Sequence, residues 1–348
     1  MKIDILSKDN VIEYEKFILE NINSLFYASN KYRLFLRELL NAEDKYFLAI
    51  KDNRIVGVLP TFVIENSKHG AVINSLPFYG SNGAIIENEG NQEVKELLLN
   101  AFFSFAQEKD CASATIITSP LEKNIDFYEK MTKYTYKDNR IGQITELPSD
   151  SQNINNDLLK MFEEVRRRNI KKAQKENVMI ITENNKNSIS KLSKIHKENM
   201  TKIGGLAKTD KFFKLFPKFF KEGEDYNVFT ACVGEQIIAG LLVFYFNNTV
   251  EYFTPVVVEQ FRNMQGLSLI IFNAMIDAVK KGYKYWNWGG TWTSQEGVYD
   301  FKKRWGTQDK EYYYYTKIYN ERIKYLTKEE ILKEYPLFYV LPFGRLNK

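Results

Sequence analysis

Apolar residues recur at helical spacing near the start of the chain, where Val11, Tyr14, Phe17, Ile18 and Ile22 share one face. That spacing predicts helices over 10–25 and 31–40. The pattern then turns to short apolar runs, and strands are expected over 46–50 and 55–64, joined by the polar turn Lys51-Asp52-Asn53-Arg54. A strand over 72–76, a helix over 93–107, a strand over 113–118 and a short helix and loop over 127–135 follow. In the second half the pattern predicts a helix over 158–176, opened by Asn156 or Asp157 as N-cap, and a strand over 178–182. Helices over 187–200 and 210–221 come next, then three antiparallel strands over 226–233, 236–246 and 249–257. A helix over 267–281 stops at Gly282, the usual residue for a left-handed cap. A strand over 283–288, a turn or short helix over 300–304, a strand over 312–319 and a helix over 328–334 complete the chain.

This order contains a repeat. Phe47-Leu-Ala49 with Ile55-Val-Gly57-Val-Leu59 reads as a hairpin, and Phe229-Thr-Ala231 with Ile238-Ala-Gly240-Leu-Leu242 reads as the same hairpin with one more residue in its turn. Each follows helices and precedes a further strand and a helix. The polar stretch 146–156 is the best linker between the halves. The expectation is an α/β (α+β) fold of two domains, 1–147 and 148–348, each a mixed, mostly antiparallel sheet flanked by helices.

Composition narrows the function. The 348 residues suffice for two cores without staples. Two distant cysteines, Cys111 and Cys232, suggest no disulfide framework, and with only His69 and His196 they make no zinc site; no metal is expected. Neither histidine has the partners of a catalytic triad, and both read as structural or exposed. The start carries no apolar leader, and the longest apolar run, 237–246, is too short to span a bilayer. The expectation is a cytoplasmic protein with no stable membrane insertion. A net charge of +5 suits phosphate-bearing ligands but is modest for a nucleic-acid binder.

The densest local signal runs from Tyr283 to Gly306. It holds all four tryptophans, Trp286, Trp288, Trp292 and Trp305. A buried strand ends at Trp288, Gly289-Gly290 breaks it and lets backbone approach a ligand, and Lys302, Lys303 and Arg304 follow. The pattern Trp-x-Trp-Gly-Gly, then Gly297-x-x-x-Phe301-Lys302-x-x-Trp305-Gly306, resembles the C-terminal motif of FemAB-like acyltransferases, a branch of the GNAT superfamily. The resemblance implies two GNAT-like domains in one chain. It also implies that Lys302, in the matching Phe-Lys pair, faces the reacting carbonyl, with Trp288 and Gly289 beside the substrate.

Other candidates follow partly from the same resemblance and partly from the residues themselves. GNAT domains hold the pyrophosphate of coenzyme A at a helix N-terminus, through backbone N–H groups and the helix dipole. Arg262-Asn263-Met264-Gln265-Gly266-Leu267-Ser268 stands at that place, so Arg262, Gln265, Gly266 and Ser268 are the cofactor-binding candidates. Asn263 departs from the family's Gln or Arg. The basic helix 165–173 maps Arg167, Ile170, Lys172 and Ala173 onto a family stretch, and Arg167 and Lys171 share a face suited to a diphosphate. Tyr79 and Asn82 flank a glycine turn that could cradle a sugar or base. Glu251, in the strand where GNAT enzymes often place a base, and Asp300 are the carboxylates nominated to take a proton, with Glu296 behind them.

The resemblance implies direct acyl transfer to an amine, with Lys302 stabilising the oxyanion and proximity supplying much of the rate. Within it, the modest charge and the lack of a long heptad insertion favour acyl-CoA as donor and a nucleotide-linked amino sugar as acceptor, for surface glycans. The alternative is an aminoacyl-tRNA-dependent aminoacyltransferase building peptidoglycan bridges, with tRNA as partner. A reading of another class is a non-catalytic GNAT-like binding module.

Overall fold

A computed structural model describes residues 1–78, 83–88, 90–122, 124–149, 152–182 and 186–345, with backbone only at 186, 187 and 343. The chain divides into two units: residues 1–141 with 310–348, and residues 142–309. In chain order the elements are β1 (Lys2–Ile5), α1 (Val11–Glu20), α2 (Asn30–Leu40), β2 (Glu43–Asp44), β3 (Phe47–Lys51), β4 (Arg54–Leu59), β5 (Phe62–Ile64), β6 (Ala71–Asn74), β7 (Ile86–Glu87), α3 (Gln92–Glu108), β8 (Cys111–Ile117), α4 (Ile125–Thr132) and β9 (Tyr136–Glu146). There follow α5 (Ile154–Met161), α6 (Glu164–Lys175), β10 (Met179–Ile181), α7 (Lys186–Lys202), α8 (Asp210–Phe219), β11 (Tyr226–Val233), β12 (Gln236–Phe246), β13 (Thr249–Val257), α9 (Gly266–Lys280), β14 (Tyr285–Thr291), α10 (Glu296–Lys303), β15 (Gln308–Ile318) and α11 (Lys328–Glu334).

The two hairpins are present in the predicted places. β3 pairs antiparallel with β4 and β11 with β12, and each ladder carries a register shift just after the repeated alanine, at Ala49/Ile50 and Ala231/Cys232. Each hairpin is followed by a parallel strand pair bridged by a helix. In the first unit β6 and β8 are parallel around α3; in the second β13 and β14 are parallel around α9. This is a duplicated α/β unit with mostly antiparallel sheets flanked by helices, as the sequence predicts.

In the second unit the sheet order is β10-β11-β12-β13-β14. β12 is buried along most of its length, so both faces of the sheet are covered. Ala239, Leu241 and Val243 join the core under α9, while Phe244 meets Phe216 and Phe220 on the α8 side. Gly266 at the start of α9 is fixed by packing: a Cβ there would lie 3.0 Å from Ile238 and 3.1 Å from Ala231. The first unit buries α3 on β3, β4 and β8, with Val94, Leu98 and Phe102 in its core. The polar stretch 146–156 lies within the second unit. The chain from 310 onward belongs with the first, where Tyr314–Ile318 pairs with Ser113–Ile117 of β8.

Several expected elements differ in extent. The predicted strand 55–64 is two, β4 and β5, because Pro60 has no N–H to give a ladder. The predicted helix 10–25 stops at Glu20, where Asn21 turns extended and donates to the Glu87 carbonyl at 2.9 Å. The predicted helix 158–176 is two, α5 and α6. Phe162 between them is extended and buries its ring 4.9 Å from that of Trp305. β1 and β9 were not anticipated, because β9 carries Lys137, Asp138, Asn139, Arg140 and Gln143 and so lacks an apolar alternation.

His196 is structural. It is buried on α7, and its Nε2 accepts from the Lys208 backbone N–H at 3.0 Å. Burial, with the Lys208 cation adding, pushes the imidazole down to about 4. The folded state therefore binds this proton more weakly than the unfolded chain. Its contribution is complete above about pH 6.5 and is lost as pH falls toward 4, by about 2–3 kcal/mol. Replacing His196 with Gln should flatten the fall in urea-unfolding stability over that window.

Candidate functional site

β13 and β14 are paired over only three residues, Thr249↔Tyr285, Val250↔Trp286 and Glu251↔Asn287. Beyond them β13 runs on to Val257 and β14 to Thr291 without pairing each other, so the sheet forks at Glu251 and Asn287. Both side chains are buried at the fork, and Asn287 Nδ2 donates to Glu251 Oε2 at 2.9 Å. Asn287 Oδ1 in turn accepts from the Gly289 N–H at 2.9 Å, holding Gly289 at φ +70°. An L side chain resists that conformation by about 1–2 kcal/mol, and a Cβ on Gly289 would meet nothing within 4 Å. Gly289→Ala should therefore lower stability by about that amount in chemical denaturation, through the backbone alone.

Lys302 approaches this turn from α10. It is 6% exposed. Its Nζ donates to Thr291 Oγ1 at 2.8 Å and to the carbonyls of Gly290 and Gly289 at 3.3 and 3.5 Å. These acceptors are neutral. Burial pushes the ammonium down to about 8, and it remains mostly charged at neutral pH.

An aromatic cluster supports the turn. Trp288 lies 4.8 Å from Tyr252 and 5.8 Å from Trp305, centroid to centroid. Trp288 Nε1 donates to Thr145 Oγ1 at 2.9 Å, and Thr145 donates on to the Trp305 carbonyl at 3.1 Å. Arg166 of α6 lays its guanidinium 4.3 Å from the Phe301 ring centroid and 5.6 Å from that of Trp305. Its Nη2 donates to the Phe301 carbonyl at 3.3 Å. Burial, with the Arg304 cation adding, holds it below the usual arginine range. Arg166 Nε and the indole N–H groups of Trp286 and Trp305 are buried donors without an acceptor among the described residues.

The structure brings Lys302, Trp288, Gly289 and Glu251 together through β13 and β14. Asp300 and Glu296 are exposed on α10, away from the buried face that carries Lys302. Arg167 is half-buried, and its Nη1 donates to the carbonyls of Phe162 and Leu159, closing the end of α5. Lys171 is exposed. Arg166, its neighbour in sequence, is the arginine at the site. The break at Phe162–Glu163 sets which arginine points inward, and an uninterrupted helix over 158–176 does not reveal it. At the start of α9, Arg262 is exposed and ion-paired to Glu259 at 3.2 Å. Gln265 donates to the Arg262 carbonyl and accepts from Ser268 Oγ at 3.4 Å. Among the described residues no side chain caps the helix, so its first N–H groups have no side-chain acceptor there. Tyr79 and Asn82 lie outside the described residues. Among the described residues, no cluster of three or more His, Cys, Asp or Glu is placed to hold a metal, and no helix is long and apolar enough to cross a membrane.

The family model described as "FemAB family" matches residues 226–333, which include the fork, α9, β14 and α10. Among solved structures, FemX is similar over 93% of this chain and 98% of its own, at 14% identity and a TM-score of 0.72. A tandem GNAT protein from the clavulanic acid biosynthesis pathway is similar over 91% and 98%, at 9% identity and a TM-score of 0.53. L-PGS from Bacillus licheniformis is similar over 88% and 95%, at 12% identity and a TM-score of 0.54. A search of curated protein sequences gives no match. The fold is the tandem GNAT-like one that these structures share. Within that fold, residues 226–333 are the FemAB-like segment.

Proposed function

We propose that this protein transfers an aminoacyl group from aminoacyl-tRNA to the amine of a peptidoglycan precursor. The observation that carries this reading is Lys302. The FemAB match spans its Phe-Lys pair, and its ammonium is buried among neutral oxygens beside the Gly289–Gly290 turn. In the transfer, the acceptor amine attacks the ester carbonyl of the donor. Negative charge grows on that carbonyl oxygen, and an ammonium buried among neutral oxygens stabilises it more in the transition state than in the ground state. The tRNA ribose hydroxyl leaves as the new amide forms. The amine's proton leaves through Glu251 or water. Arg166 and the two unpartnered indoles offer donors to an anionic or carbonyl-bearing part of either substrate.

The acyl-CoA reading rests on a different observation, the uncapped start of α9 behind the fork, where phosphates are readily held. Under it the acceptor is a nucleotide-linked amino sugar. One experiment separates the two. The purified protein is incubated with charged tRNA and a UDP-linked muramyl peptide, and in parallel with acetyl-CoA and a UDP-linked amino sugar, and the products are read by mass spectrometry. A peptide heavier by one residue in the first reaction supports the proposal. Acylation only in the second overturns it in favour of the other donor.

A further inference from the structure

One surface of the second unit takes no part in the site above. Helices α7 and α8 cover the face of β11–β13 that carries Gly240 and Phe244, through Leu192 of α7 and Phe216 of α8. Between the two helices is a cavity of about 850 Å³. Its apolar part is Ile189, Phe213 and Pro217, and Lys194, Lys197, Lys214 and Lys218 stand around it with one acid, Asp210. From Ser188 to Lys218 the chain carries eight lysines against only Glu198 and Asp210. The four rim lysines are exposed, and none has an acidic partner among the described residues. The loop joining the helices then exposes two large aliphatic side chains, Ile203 at 75% and Leu206 at 60%.

Cations around an apolar tip match the boundary of an anionic bilayer. There, aliphatic side chains enter the acyl region and ammonium groups meet lipid phosphates. A nucleic acid would use the cations and exposed aromatic rings for stacking, but Phe212, Phe213 and Phe216 of α8 are buried. We infer that α7, α8 and the loop between them dock this protein peripherally on an anionic lipid surface. Ile203 and Leu206 are the inserting residues, and Lys194, Lys197, Lys214 and Lys218 contact the headgroups. The inference goes beyond the proposed reaction and does not depend on it.

The test is co-sedimentation of the whole chain with vesicles of phosphatidylcholine alone and of phosphatidylcholine mixed with phosphatidylglycerol. The protein should bind only the mixed vesicles and release as salt is raised. Ile203→Ser with Leu206→Ser should weaken binding about tenfold. Lys194→Gln, Lys197→Gln, Lys214→Gln and Lys218→Gln together should weaken it about a hundredfold. Melting temperatures should not move in either variant, since all six side chains are exposed. Equal binding to both vesicle types, no binding to either, or indifference to the Ile203 and Leu206 changes overturns the inference. Lysine-dependent binding of tRNA without vesicle binding overturns it too and assigns the surface to nucleic acid.

Discussion

Lys302→Met should reduce turnover by about 10²–10³-fold while the protein stays folded. Methionine fills much the same volume without the ammonium, so the loss isolates charge. The buried cation hydrogen-bonds to Thr291, Gly290 and Gly289 and meets no carboxylate among the described residues, so its removal strands no partner charge there. Its ammonium is held at about 8 by burial, below the unfolded chain's 10.5. Between those values the unfolded state binds the proton more tightly, so wild-type stability rises with pH there. The Met variant should lack that rise and be as stable at neutral pH as the parent, or more so. Catalysis runs the other way. The cationic form is the active one, so kcat/KM of the parent should fall on a basic limb near 8. Turnover of Lys302→Met within a few-fold of the parent, with the melting curve unchanged, would remove the residue from the mechanism.

The second large effect is on stability. Trp305→Ala should cost about 3–5 kcal/mol in urea unfolding. Trp305 is fully buried, with Phe162 at 4.9 Å and Trp288 at 5.8 Å, and its carbonyl accepts from Thr145. Deleting the ring opens a cavity between α5, α10 and β14 and removes part of the platform under Arg166. Activity should fall further than the folded fraction alone explains, because α10 carries Lys302. Trp305→Phe should recover most of the stability. If Trp305→Ala unfolds with a loss under about 1 kcal/mol, the cluster does not hold α10 in place.

How much of this was legible in the sequence follows from which signals are local. The hairpins at 47–59 and 229–242 are set by short apolar runs and tight turns, and both appear where the pattern puts them. The Phe301-Lys302 pair is a fixed motif next to a glycine break, so its position beside β14 could be read from the chain. The inward arginine could not. Whether Arg166 or Arg167 faces the aromatic cluster depends on the interruption at Phe162, and that depends on Trp305, far along the chain. The long strand β9 is not legible because its buried positions include Arg140, which lies over the Tyr314 ring, and Gln143, which donates to the Tyr299 carbonyl. Polar residues satisfied at long range leave no periodic trace. Asp300 stands two residues before Lys302, and two residues along a helix turn side chains to nearly opposite sides, so Asp300 is exposed while Lys302 is buried.

The crowding of indoles around the Gly289–Gly290 turn has an optical consequence. Every tryptophan of the chain lies between positions 286 and 305, and three of them are buried in one cluster. Emission excited selectively in tryptophan therefore arises from this one stretch, and a donor or acceptor entering there would change its intensity or colour with no label attached.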